Sequence, residues 1–254
     1  MADAGVELRG VGHVFGAGDR RVEALGPVDL AIDPRELVCI VGPSGCGKTT
    51  LLHLLAGFQA PTEGVLEVGG VPVDGPSPAR GVVFQQPNLY PWLTVRGNVG
   101  FGLRMRRVPR ARRREEVDRW LGVVGLDGFG DHRPYELSGG MQQRCQIARV
   151  LANDPALILM DEPFGALDAL TRERMQLELL RIWGEEHRTV VFITHSVDEA
   201  VLLGTRVLVM SPRPGRIVFD EPSPFGPEVT RGADLRLHPD FVPFRERIAA
   251  AIST

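Results

Sequence analysis

Leu37-Val38-Cys39-Ile40-Val41-Gly42-Pro43-Ser44-Gly45-Cys46-Gly47-Lys48-Thr49-Thr50 is the stretch on which the fold turns. Five apolar residues without a polar interruption predict a strand buried on both faces. Glycines at 42, 45 and 47 then let the backbone curl so that successive N–H groups point inward. A helical pattern from Lys48 to Ala56 follows, bringing free N–H groups and the positive end of a helix dipole to the same place. Strand, glycine loop and helix in this order form a cradle for phosphate groups. Lys48 can reach β- and γ-phosphates and the Thr49 hydroxyl can ligate Mg²⁺. Composition underlines the point: among 29 basic residues, Lys48 is the one lysine and the other 28 are arginines. A compact ammonium on a flexible stem does what a planar guanidinium cannot.

Outward from this loop, the 254 residues alternate strands and helices, an α/β pattern. Short strands are predicted near Val6–Val14, Gly64–Val68, Val71–Val73, Gly81–Phe84, Leu157–Met160, Thr189–Ile193, Val207–Met210 and Ile217–Phe219, and an extended stretch at Val22–Ile32 is broken by Pro27. Helices are predicted over Leu103–Trp120, Met141–Leu151, Leu170–His187, Val197–Leu203 and Phe241–Ile252. A hydrophobic content of 43% permits a sizeable core, and a net charge of −3 gives no bulk basicity for nucleic acid. Three cysteines make neither a disulfide framework nor a metal-site spacing. With no signal peptide and no apolar run long enough for a bilayer, the expectation is a soluble cytoplasmic chain.

Two further stretches carry chemistry. Asp161 and Glu162 end an apolar strand, where ligands of open α/β sheets bind. Asp161 would hold Mg²⁺ and Glu162 would polarise an attacking water; taken alone, the pair also suits a strand that ends in a helix cap. Leu137-Ser138-Gly139-Gly140-Met141-Gln142-Gln143 places a hydroxyl and backbone N–H groups at a second helix N-terminus, an anion site or an ordinary serine cap.

Together these motifs resemble the nucleotide-binding subunit of ATP-binding cassette (ABC) transporters, from about residue 6 to residue 221. The resemblance implies a P-loop NTPase core with an antiparallel β subdomain, residues 6–94 and 154–221. It implies an inserted helical subdomain at 95–153 and a short tail at 222–254, within one domain spanning 1–254. It makes Gly42 to Thr50 the Walker A loop, Asp161 the Walker B carboxylate and Glu162 the catalytic base. Gln85 becomes the sensor of Mg²⁺ and γ-phosphate, Asp168 part of the loop that communicates across a dimer, and His195 the switch histidine. Phe15 takes the place of the aromatic ring that stacks on adenine. Read singly, Gln85, Phe15 and His195 are also ordinary loop or core residues. ATP and Mg²⁺ are the implied cofactors, bound between two head-to-tail copies so that Ser138, Gly139 and Gly140 of one face the Walker A loop of the other.

Pro91–Val95, Pro163–Arg172 and Met210–Ile217 look like the nitrate/sulfonate/taurine/bicarbonate importer group. That implies a transmembrane permease, an extracytoplasmic solute-binding protein and a place on the cytoplasmic face of the membrane. Tyr90 and Trp92 are then candidates for permease docking, or for local packing. The alternative is an ABC ATPase of export, lipoprotein release or cell division. Between Lys48 and Asp161 there is no heptad run and no Cys/His cluster, which argues against a nucleic-acid ATPase. Arg104 to Arg114 holds seven arginines, a solvated face or an anion-facing patch.

Overall fold

Strands that are apolar at every position must be covered on both faces, and this requirement organises the molecule. In a computed structural model, residues 4–186, 188–225 and 233–253 are described. Met1–Asp3, His187 (the predicted end of the long helix) and residues 226–232 of the predicted tail lie outside them. In chain order the elements are β1 (Val6–Phe15), β2 (Val22–Ile32), β3 (Leu37–Val41), α1 (Lys48–Ala56), β4 (Glu63–Val68), β5 (Val71–Pro72) and β6 (Arg80–Val83). Four helices follow, α2 (Val95–Val99), α3 (Phe101–Met105), α4 (Arg110–Val123) and α5 (Gly139–Ala152). The rest are β7 (Leu157–Asp161), α6 (Ala169–Glu186), β8 (Thr189–Ile193), α7 (Val197–Leu203), β9 (Arg206–Met210), β10 (Ile217–Pro222) and α8 (Phe241–Ser253).

The central sheet runs β10-β9-β3-β8-β7-β6 and is parallel except for β10, which pairs antiparallel with β9. Every residue of β3, β7 and β8 is buried. Alternate positions feed two cores, as a strand's period of two requires. Val38, Ile40, Leu159 and Val191 pack with Leu51, Leu52, Leu54 and Leu55 of α1 and with the antiparallel sheet β2-β1-β4-β5. Leu37, Cys39, Ile158, Met160 and Phe192 join the other core, which continues through Cys145 and Ile147 of α5 into Val117 and Trp120 of α4.

Two predicted elements differ in form. Pro27 does not break its strand: β2 runs through it, with Pro27 exposed. Because β2 is the edge strand of its sheet, the missing N–H removes no necessary ladder bond. The helix predicted over Leu103–Trp120 is two helices, because Pro109 disfavours helical backbone at Val108 and Arg107 turns the chain at φ 58°. Arg106 of the arginine stretch donates to the Asn153 carbonyl at 2.8 Å, and the exposed Arg114 lies 3.8 Å from Asp118.

At the C-terminus, α8 packs on α7, β9 and β10, with Phe241, Phe244 and Ile248 buried. Among the described residues no helix is long and apolar enough to cross a membrane. Phe244→Ala should cost about 3–5 kcal/mol of stability, the usual range for emptying a buried phenyl site, read as a lower denaturant midpoint with an unchanged slope.

Candidate functional site

Four parallel strands, β3, β6, β7 and β8, end at one edge of the central sheet, and each delivers one part of the site there. β3 leads into the loop Gly42–Gly47, and α1 starts at Lys48. Gly47 has φ 104°, and a Cβ at that position would meet the Ala24 carbonyl at 2.8 Å, so only glycine closes the turn into α1. The Lys48 side chain is buried, with Nζ donating to the carbonyls of Gly42 at 2.8 Å and Pro43 at 2.9 Å. The ammonium thus stays inside the loop, where a phosphate oxygen would replace carbonyl oxygens as its acceptor.

β7 brings Asp161 to the same edge. The Thr49 hydroxyl donates to Asp161 Oδ2 at 2.9 Å, joining the glycine loop to the acidic strand end. Burial pushes the Asp161 carboxyl above its ordinary value; the Thr49 hydrogen bond works the other way, and the neighbouring Glu162 pushes it up again. A hydroxyl beside a carboxylate that is costly to ionise unaided is a hard-oxygen donor pair that fits Mg²⁺, which takes few protein ligands and completes its shell with phosphate and water.

Glu162 occupies the left-handed region at φ 44°, and its N–H donates to the Ile193 carbonyl at 3.0 Å. A non-glycine residue there costs on the order of 1–3 kcal/mol, and here it stands where three strands meet. Gln85, after β6, donates through Nε2 to Glu162 Oε2 at 3.2 Å. His195, after β8, places Nδ1 3.3 Å from the same oxygen, with its side chain 70% exposed. Three residues predicted separately from sequence therefore meet at one carboxylate oxygen.

The remaining predicted residues stand outside this hydrogen-bonded group. Ser138 caps α5, its hydroxyl accepting from the Met141 N–H at 3.3 Å, and Gly140 approaches Leu167 and Ala166. The cap reading of Ser138 is thus present in the structure, with the residue exposed at the helix start. Asp168 is exposed and accepts from the Thr171 N–H at 3.0 Å, a bond that holds its carboxyl below the ordinary range. Phe15 is 40% exposed at the end of β1, edge-on to His13 with ring centroids 4.5 Å apart. Tyr90 and Trp92 are in contact, with ring centroids 5.4 Å apart, but differ in exposure. Tyr90 packs locally, 4.7 Å from the Phe101 ring with Arg149 over its face, whereas Trp92 is 68% exposed.

Sequence reasoning missed two supports. Gln143 and Gln146 of α5 are buried and both donate to the Phe84 carbonyl, at 3.1 and 2.8 Å, fixing the backbone just before Gln85. Their place after the Ser138 glycines was visible, but their partner was not. The stretch Met210–Ile217, read only as a group marker, backs the phosphate loop: Gly215 donates to the Ala24 carbonyl at 3.0 Å, and a Cβ on it would meet the Cys46 carbonyl at 2.0 Å.

A family profile described as ABC transporter matches residues 25–165. The chain belongs to the ABC transporter family. It is an α/β P-loop ATPase of the ABC type, and as such it binds and hydrolyses ATP. It is 52% identical over 233 residues to the taurine import ATP-binding protein TauB of Pelagibacter ubique, covering 91% of this chain and 88% of that one. It is 53% identical to the protein of the same name from Roseobacter denitrificans, covering 89% and 85%. Among solved structures, the dimeric post-hydrolysis state of the ATP-binding cassette MJ0796 bound to ADP and Pi is similar at 34% identity and a TM-score of 0.79, covering 87% of this chain and all of that one.

Asp161→Asn keeps an acceptor for Thr49 and removes the buried charge. Since the folded state raises the Asp161 pKa, ionising this group weakens the fold as pH rises through that value. The variant should therefore unfold at a higher temperature than the wild type at neutral pH without nucleotide, and the gap should close as pH falls toward the ordinary carboxylate range. Thermal scans across pH 3–8 check it.

Proposed function

We propose that this chain powers import of a small sulfonate of the taurine type, working as a head-to-tail pair on a transmembrane permease fed by an extracytoplasmic solute-binding protein. The observation that carries the catalytic reading is the meeting of Gln85 and His195 at Glu162 Oε2 beside the Thr49–Asp161 bond. The names of the relatives support import over export, lipoprotein release or cell division, and the dimeric cassette structures support the pair.

On this reading the loop from Gly42 to Thr50 binds the phosphates through its N–H groups, and Lys48 sets its charge against the β- and γ-phosphates. Thr49, Asp161 and Gln85 would hold Mg²⁺, which when bound neutralises charge on the phosphate oxygens. Glu162 accepts a proton from the attacking water, with Gln85 and His195 holding its carboxylate in place. Phe15 stacks on adenine. Ser138, Gly139 and Gly140 of the second copy supply N–H groups to the γ-phosphate, and Asp168 passes closure of one site to the other.

Permease docking falls to Trp92 and the adjoining cleft of about 370 Å³ lined by Phe58, Phe84, Tyr90 and Phe101. An apolar cleft with an exposed indole at its rim suits an amphipathic helix. Attachment to the cytoplasmic face of the membrane follows from that contact.

Glu162→Gln should lower kcat by at least about 10²-fold while ATP still binds, the range expected for loss of a general base, and should yield an ATP-dependent dimer on gel filtration. Hydrolysis at the normal rate would remove Glu162 from its role. Trp92→Ala should leave the ATPase activity of the isolated chain unchanged and abolish its co-purification with the permease from solubilised membranes. Recovery of an intact complex would count against docking at this face.

A further inference from the structure

His195 is mostly solvent-exposed, so packing does not fix its imidazole; the backbone on either side has to. Thr194 and Ser196 flank it, and both are tied down by side chains. The Ser196 N–H donates to Thr194 Oγ1 at 3.0 Å, and the Thr194 hydroxyl in turn donates to Glu199 Oε2. The other oxygen of Glu199 accepts from Gln176 Nε2 at 2.8 Å, and the Glu199 N–H donates to Ser196 Oγ at 3.3 Å. Glu199, Gln176 and Thr194 are all buried, with Glu199 only 8% exposed.

A buried carboxylate is costly unless its oxygens are satisfied. An apolar residue would fill this space without that cost, but it could not orient the Thr194 hydroxyl. With Glu199 Oε2 as the acceptor, the Thr194 hydrogen is committed and its lone pairs are left for the Ser196 N–H. The bond from Gln176 extends the link to α6, the helix that begins directly after Asp168. Glu199 and Gln176 also line a cavity of about 370 Å³ together with Glu162 and His195, so this network borders the reacting groups without bonding to them.

We propose that Glu199 is a positioning residue for His195, holding the end of β8 so that the imidazole stands at Glu162 and tying that placement, through Gln176, to α6 and the Asp168 loop. The inference rests on the hydrolase reading of the site. A shift of α6 then reaches the residue before His195 through two hydrogen bonds.

The test uses the full chain and separates turnover from binding. Glu199→Ala should lower kcat at least 10-fold while KM for ATP, and affinity for a fluorescent ATP analogue, change by less than about 2-fold. The exchange Glu199→Gln with Gln176→Glu restores the pattern of donors and acceptors, since the new amide can accept from Thr194 and donate to the new carboxylate. It should bring kcat back to within about 3-fold of wild type. If Glu199→Ala does not fold, Thr194→Val removes the hydroxyl at nearly constant shape and is read in the same way. An unchanged kcat, a parallel loss of nucleotide affinity, or an exchange variant as slow as Glu199→Ala would overturn the positioning role. A wild-type chain inactive in the same assay would overturn the hydrolase reading itself, and this inference with it.

Discussion

The hydroxyl of Thr49 reaches across the end of the central sheet to Asp161 Oδ2 at 2.9 Å, and the arrangement of the site depends on that bond. It joins the first residues of α1 to the last residue of β7, two segments far apart in sequence that come together because β3, β8 and β7 are consecutive parallel strands. Parallel pairing puts the C-terminal ends of these strands on one edge, where open α/β sheets bind their ligands. With the ends aligned, Glu162 is one residue past Asp161 and His195 two past the end of β8. The short distances between their side chains follow from that register.

The supports around the site share one device: buried polar side chains that fix backbone. Gln143 and Gln146 hold the Phe84 carbonyl, and Glu199 with Gln176 holds Thr194. Each is deeply buried and each has its partners, so desolvation is offset by hydrogen bonding and what remains is orientation. The side chains that meet at Glu162 Oε2, in contrast, are exposed or half-exposed, while Lys48 and Asp161 are themselves buried. Buried, hydrogen-bonded groups thus fix the backbone next to the exposed side chains. The Glu162 backbone at positive φ belongs to the same scheme, since local strain persists only where the surroundings over-determine it.

Much of this was legible in the chain. The apolar run Leu37–Val41, the glycine loop and Lys48 identify a phosphate cradle, and strand–helix alternation identifies the α/β class. The order of Gln85, Ser138, Asp161, Glu162, Asp168 and His195 identifies the family. Errors fell where local rules meet tertiary context. Pro27 reads as a strand breaker, yet β2 runs through it at the edge of its sheet. Tyr90 and Trp92 touch, with ring centroids 5.4 Å apart, yet the first also packs against Phe101 while the second is 68% exposed. Neighbouring positions in an irregular loop have no periodicity to tell them apart.

The sequence by itself determined which groups are available: one lysine in a glycine loop, two adjacent carboxylates at a strand end, and a glutamine and a histidine each just past an apolar run. Those are local features, set by residue type and short spacing. Only the tertiary structure decided that Gln85 and His195 share one oxygen of Glu162, that Gly215 closes the back of the phosphate loop, and that Glu199 reaches Gln176. Each of these contacts joins segments brought together by strand order and helix packing. Hydrophobic periodicity states which face of an element is buried, but not which element lies against it.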